Sequence, residues 1–224
     1  MLHNYDESRN RMVEDQLVKR NIKSPAVLNA MRAVPRHLFV PPDLQRHAYE
    51  DCPLPIGLKQ TISQPYIVAF MTEQLRPVAG MKILEIGTGS GYQAAVLAEL
   101  GCNVFTMELI KEHTDKAKEI FAELNLPINV MHGDGYSGWQ KETPFDAVIV
   151  TAAAKSIPDI LISQLNEGGR MIIPVGPAGS IQYLKLIIKN ANANMGGYTE
   201  EDLLAVRFVP MVQGEDQGST VKLM

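Results

Sequence analysis

Cysteine is scarce in this sequence: Cys52 and Cys102 are the only two among 224 residues, and they stand far apart. Two cysteines so placed give neither a metal-site spacing nor a disulfide framework, and a reduced, cytoplasmic location is the expectation. The histidines His3, His37, His47, His113 and His132 show no metal-ligand spacing either, so structural or surface roles are expected for them and no metal. Positive charge is not in excess, since 21 Lys and Arg face 25 Asp and Glu for a formal charge of −4. That argues against a nucleic-acid partner, whose electrostatic footprint is usually basic. Every apolar run is broken by charge, Gly or Pro within about ten residues, too short for a membrane span, and the polar Met1–Arg11 segment lacks the apolar core of a signal peptide. There are no internal repeats, no low-complexity tracts and no interdomain linker. What remains is an ordinary globular composition, 46% hydrophobic and 21% charged, long enough for one sizeable domain.

The order of apolar residues divides the chain near Gly80. Before it, residues 4–34 carry Met12, Leu17, Ile22, Val27, Leu28 and Met31 at amphipathic-helix spacing. Ser24-Pro25 reads as a cap followed by proline at the first helical position. Five prolines between Val34 and Pro55 predict a winding segment, and 64–76 predicts a helix with Ile67, Phe70, Met71 and Leu75 on one face. After Gly80, short apolar runs alternate with helical stretches. Strands are expected at Lys82–Ile86, Asn103–Met107, Ile128–Met131, Ala147–Val150 and Met171–Val175. Helices are expected at Tyr92–Leu100, Lys111–Leu124 and Ile157–Leu165. This βαβα rhythm predicts a doubly wound, mostly parallel α/β sheet. Tyr183–Ile188 and Leu203–Val209, with an Asn- and Gly-rich turn over 190–198, predict a terminal antiparallel hairpin. Glu200-Glu201-Asp202 reads as a solvated helix start.

The strongest chemical signal is Leu84-Glu85-Ile86-Gly87-Thr88-Gly89-Ser90-Gly91-Tyr92, which follows a predicted strand and opens a predicted helix. Glycines at alternate positions let the backbone turn and approach a ligand, and the helix N-terminus beyond adds oriented N–H groups. The dinucleotide fingerprint is G-x-G-x-x-G, tuned to a pyrophosphate. Here the pattern is E-x-G-x-G-x-G, with Glu85 at the strand end, where a carboxylate repels a pyrophosphate but suits an ammonium group. Glu108 ends the next strand and can accept hydrogen bonds from ribose hydroxyls. Asp134, between Gly133 and Gly135 at a third strand end, can accept from an adenine amino group. Each has a plainer reading, the glycines as a tight turn, Glu108 as a solvated strand end and Asp134 as a turn residue. Three acids at three successive strand ends favour S-adenosylmethionine over NAD.

A resemblance sharpens this. Gln60-Thr61-Ile62-Ser63-Gln64-Pro65-Tyr66 ahead of the glycine loop resembles the protein-L-isoaspartate O-methyltransferase family. His132-Gly133-Asp134-Gly135-Tyr136, Pro144–Ala154, Gln164–Met171, Ile173–Gly176 and Val206–Pro210 are similar to that family as well, so the likeness runs from about Arg11 to Pro210. The glycine loop is shared by many methyltransferases, whereas Thr61-Ile62-Ser63-Gln64-Pro65 is far more specific. The resemblance implies a single Rossmann-like S-adenosylmethionine-dependent domain over 1–224, with a helical extension and active-site segment in 1–79 and the cofactor-binding core in 80–224. It also implies the activity: methylation of the free α-carboxylate of L-isoaspartyl residues in damaged proteins, leaving S-adenosylhomocysteine and an ester that collapses to a succinimide. A monomer acting on such proteins, with no nucleic acid and no membrane, is the expected setting.

By the same resemblance Ser63 is the catalytic residue, its hydroxyl steering the substrate carboxylate, with Thr61 the neighbouring hydroxyl. The plainer role for Ser63 is a cap on the helix beginning near Gln64-Pro65. Gln60 and Ile62 would contact the cofactor. Glu85, Gly87, Thr88 and Gly89 would line its methionine end, Glu108 its ribose, and Asp134 with Gly135 its adenine. A carboxylate attacking an activated methyl group requires neither a strong base nor a metal, only alignment and partial desolvation. Trp139 and Tyr136 read as loop-packing residues. Met211 stands where the family usually has leucine, a volume-conserving change; Val212 is a candidate backbone contact, and the polar tail from Gln213 to Gly218 is assigned no site residue. An RNA methyltransferase of the same fold, an NAD-dependent oxidoreductase and a catalytically silent module are the competing readings.

Overall fold

The computed structural model describes residues 4–190 and 197–214. The predicted turn between the last two strands and the polar tail therefore lie mostly outside the described residues, as does His3. Helix α1 (Tyr5–Met12) is capped by Asn4, continues through a wide turn at Val13–Leu17 and a tight one at Val18–Arg20, and ends where Asn21 turns left-handed at φ 66°. Helix α2 (Pro25–Ala33) begins as its sequence predicts, with the Ser24 hydroxyl accepting from the Val27 N–H. The proline-rich stretch forms two short 3-10 turns, followed by a small antiparallel ribbon of β1 (Leu54–Gly57) and β2 (Gln60–Ile62). Helix α3 (Pro65–Leu75) leads into the sheet.

The main sheet has seven strands: β3 (Lys82–Ile86), β4 (Asn103–Glu108), β5 (Asn129–His132), β6 (Phe145–Val150), β7 (Leu165–Val175), β8 (Gln182–Lys189) and β9 (Tyr198–Val206). Its order is β5-β4-β3-β6-β7-β8-β9, parallel from β5 to β7 and antiparallel from β7 to β9. Helices α4 (Tyr92–Glu99), α5 (Lys111–Glu123) and α6 (Asp159–Ser163) make the crossovers. Because side chains alternate along a strand, each central strand feeds two cores. Ile83, Ala147, Ile149 and Ile172 join the N-terminal helices on one face, while Leu84, Ile86, Val148, Val150 and Met171 meet α6 on the other. Strands covered on both faces read as unbroken apolar runs, which is why β3 and β6 were visible in the sequence.

Some expectations shift. In α3 the inward face is Val68, Met71, Thr72 and Leu75, while Ile67 and Phe70 are half-buried. Phe70 instead stacks beside Tyr66, ring centroids 5.8 Å apart. Strand β7 begins at Leu165, so the preceding helix is limited to α6, and the register slips between Phe145 and Ala147 where Gly168 and Gly169 allow irregular backbone. The acidic run Glu200–Asp202 is not a helix start but part of edge strand β9. Lys185 on β8 lies opposite, its Nζ 2.5 Å from Asp202 and 3.6 Å from Glu200, and cross-strand pairing of opposite charges favours the strand.

Candidate active site

Strands β3 and β6 are neighbours, yet the chain leaves β3 for β4 and β5 before returning to β6. Strand order therefore reverses here, and the loops after the two strands part to leave a crevice at their carboxyl ends. The glycine loop fills one side. Gly87, at φ 93°, lies so close to Thr151 that a Cβ would meet the Thr151 Oγ1 at 2.5 Å, and that hydroxyl donates to the Gly87 carbonyl. Gly91, at φ 89°, caps α4, and a Cβ there would come 2.8 Å from the Phe121 ring.

The cleft encloses about 920 Å³, mouth included. Its walls gather Gln60, Thr61, Ile62, Ser63, Glu85, Gly87, Thr88, Gly89, Glu108 and Gly135, every sequence-predicted site residue but one. The exception is Asp134. Its carboxylate accepts from the Tyr136 N–H at 2.9 Å and the Gly214 N–H at 3.3 Å, the turn role that a residue between glycines suggests. Ser63 does not cap α3: Gln64 occupies the cap position, without a side-chain bond. The reason is Pro65, which fixes the first helical turn one residue later than a serine cap needs. Ser63 lines the cleft instead.

Glu85 is fully buried and accepts from the Thr106 hydroxyl, itself 2.6 Å from that of Thr88. Its other oxygen, Oε1, has no partner. Burial, opposed by the Thr106 hydrogen bond and reinforced by nearby Glu108, pushes its carboxyl up to about 8. A ligand bearing an ammonium group fits this wall, because it would answer the orphaned oxygen and favour ionisation. Glu108 plays a part the sequence did not disclose. Its two oxygens accept from the Gly89 N–H at 2.8 Å and the Ile110 N–H at 2.9 Å, bracing the glycine loop against the end of β4. Each oxygen keeps a further lone pair for a hydroxyl.

Several wall residues were missed. Thr151 ends the apolar run of β6 just as Glu108 ends β4, so the strand-end argument could have found it. Val209–Val212 form the far wall, held by bonds across Ala153: its N–H donates to the Val209 carbonyl and its carbonyl accepts from the Met211 N–H, both at 2.8 Å. Met211 and Val212 both reach the cleft, so of this wall only Val212 was a candidate contact in the sequence. Trp139 packs edge-on against Phe105, as a loop-packing residue would, while the Tyr136 hydroxyl reaches the Met211 carbonyl at 3.4 Å. A second cavity of about 1,060 Å³ opens to the surface between Arg20, Tyr66, Ile181 and Arg207, and shares Thr61, Ser63, Thr151 and Val209 with the first.

A doubly wound sheet with a glycine loop and buried carboxylates at its switch point defines the Rossmann-like methyltransferase class. A model of the protein-L-isoaspartate(D-aspartate) O-methyltransferase family matches residues 7–216. The protein-L-isoaspartate O-methyltransferase of Opitutus terrae is 52% identical over 92% of this chain and 87% of its own, and that of Gloeobacter violaceus 50% identical over 92% and 99%. Among solved structures, a Plasmodium falciparum protein described as a protein-L-isoaspartate O-methyltransferase, in complex with S-adenosyl-L-homocysteine, superposes with a TM-score of 0.79 at 26% identity. It covers 94% of this chain and all of its own. The chain belongs to the protein-L-isoaspartate(D-aspartate) O-methyltransferase family.

Proposed function

We propose that this protein transfers a methyl group from S-adenosylmethionine to the free α-carboxylate of L-isoaspartyl residues in damaged proteins and peptides. The observation that carries the reading is the pair of cavities meeting at Ser63 and Thr61, the first of them lined by the buried carboxylates Glu85 and Glu108. When bound, the donor supplies a methyl group already activated on a sulfonium. The chain's own residues hold and align. Glu85 meets the ammonium end beside Gly87, Thr88 and Gly89, Glu108 the ribose, and Asp134 with Gly135 the adenine edge, while Gln60 and Ile62 cover the donor. The lone pairs of Asp134 not used by Tyr136 and Gly214 leave it capacity for an amino group.

The acceptor peptide lies in the second cavity, and its isoaspartyl side arm passes between Thr61, Ser63, Thr151 and Val209. Ser63 is the catalytic residue, because its hydroxyl donates to one carboxylate oxygen and turns the other towards the methyl group. Holding both reactants in line is itself a large share of the rate enhancement. The ester product leaves and closes to a succinimide without the protein.

We also infer one functional unit over 1–224, with a helical extension and active-site segment in 1–79 and the cofactor-binding core in 80–224; the shared core of α1, α2 and the sheet supports this. A monomer in the cytoplasm, independent of nucleic acid, agrees with the net charge of −4 and with Cys52 and Cys102 both being free thiols. No described helix is long and apolar enough to cross a membrane.

The test is incubation with methyl-labelled S-adenosylmethionine and two matched peptides, one isoaspartyl and one aspartyl. Base-labile label confined to the isoaspartyl peptide is expected. Label on neither, with the donor still bound, would overturn the acceptor assignment, and label on RNA instead would redirect it.

A further inference from the structure

Arg36 is fully buried, at 0% exposure, yet among the described residues no carboxylate forms an ion pair with it. Its Nε donates to the Ala48 carbonyl at 2.7 Å and its Nη2 to the Ser63 carbonyl at 2.8 Å, while Nη1 has no partner. The guanidinium carbon sits 4.8 Å from the centroid of the Tyr92 ring, the first residue of α4 and part of the cleft wall. Among the described residues Asp51 is the carboxylate that acts on it, and only at a distance, because that side chain is held by Arg20 at 2.5 Å. Burial pulls Arg36 down to about 10, which still leaves it protonated at neutral pH. An uncompensated buried cation is expensive to keep, and packing alone would be served by methionine.

We propose that Arg36, which lines neither cavity, is a positioning residue for the methyl acceptor: it fixes the Ser63 backbone from behind the wall, and its buried positive charge favours the arrival of the α-carboxylate on the other side. This rests on the reading of the acceptor given above. Ser63 is the point where the two cavities meet, so the cation touching its carbonyl lies beside the place where substrate charge arrives. Its reach to Tyr92 ties the acceptor segment to the helix that opens from the glycine loop. The sign of the kinetic effect follows from the reaction. The acceptor is fully charged when bound and loses its charge as it becomes an ester. A fixed positive charge therefore stabilises the bound carboxylate at least as well as the transition state, so its loss raises KM and does not lower kcat.

The experiment compares Arg36→Met and Arg36→Lys with the wild type. The readouts are KM and kcat for an isoaspartyl peptide, and the calorimetric Kd of that peptide for protein saturated with S-adenosylhomocysteine. Arg36→Met is expected to raise KM and Kd about ten- to a hundredfold, the scale of the lost charged hydrogen bond that holds the Ser63 carbonyl. Its kcat should stay within about threefold and its donor affinity within about twofold. Arg36→Lys, keeping the charge without the planar fork, should recover part of the KM. A wild-type KM in Arg36→Met overturns the proposal. So does a fall in kcat alone with Arg36→Lys no better, the pattern of a purely structural role. Should Arg36→Met not fold, Arg36→Gln takes its place, and equal KM for Arg36→Gln and Arg36→Lys is the overturning result. A wild type that ignores the isoaspartyl peptide while binding S-adenosylhomocysteine would instead remove the acceptor assignment itself.

Discussion

The donor side of the cleft comes from consecutive βα units, with Gln60 and Ile62 reaching over it, while the acceptor side comes from pieces of chain that meet only in the fold: Thr61 and Ser63, with Arg36 behind them, and Val209–Val212. In the βα units the carboxylates sit at or just past the ends of their own strands and are fixed mostly by bonds within or next to the unit, as Glu108 is by Gly89 and Ile110. On the acceptor side nearly every anchoring bond is to a main-chain carbonyl of a distant segment: Arg36 to Ser63, Ala153 to Val209 and Met211 to Ala153. Damage to the donor side should therefore stay local and show in cofactor affinity. Damage to the acceptor side should appear in peptide kinetics and leave cofactor affinity alone.

The sharpest break of that contrast is Glu85→Gln. Removing the charge that meets the donor's ammonium should weaken S-adenosylhomocysteine binding about a hundred- to a thousandfold, the cost of losing one member of a buried pair. Without ligand, the same substitution should relieve the fold. The folded carboxyl titrates near 8, against 4.5 when unperturbed, so the folded protein keeps a proton that the unfolded chain releases between those values. The contribution of Glu85 to stability is thus fully present below about 4.5 and falls as pH rises towards 8. Denaturant titrations of the ligand-free protein should lose stability across that window, and the Gln variant should lose less. Calorimetry at pH 7 in two buffers should find close to one proton released on binding, because an ammonium draws Glu85 into its ionised form; no proton release would remove that pairing. Next in size is Ser63→Ala, expected to lower kcat/KM for the isoaspartyl peptide about ten- to a hundredfold with donor affinity within about twofold. A variant that lost donor affinity instead would mean that the two sides are not separate.

That contrast also decides what could be read in advance. The donor side was legible because periodicity locates strands and spacing locates their ends; β3 begins and ends where the apolar run does. Even there the reading gave position better than partner: Glu108 lies in the wall as expected but also braces the glycine loop, and Asp134 spends its near bonds on a turn. The acceptor side carries no periodic signal. A lone arginine among prolines looks like a surface charge until the fold buries it, and Val209–Val212 take their place through bonds to Ala153 that no local pattern announces. Only the family resemblance reached Ser63, and only the position of Pro65 in the folded helix showed that serine does not cap it.

The smallest expected effect tests whether the acceptor wall depends on the strand pair that delivers it. Strand β9 ends at Val206 and runs directly into Arg207–Val212. It is an edge strand whose acids pair with a lysine across the sheet, and its Asp202 side chain is 53% exposed. A pair that exposed contributes little, since water and salt screen it. Asp202→Asn should therefore cost less than about 1 kcal/mol in denaturant unfolding, with kcat/KM for the isoaspartyl peptide and affinity for S-adenosylhomocysteine both unchanged. The placement of Val209–Val212 is then set by the backbone bonds to Ala153, which lie on the β6 side of the cleft rather than on β9. A loss of kcat/KM beyond about tenfold with donor affinity intact would show the opposite: register in the β8–β9 ladder would be transmitted to the wall, and the edge of the sheet would be part of the acceptor site.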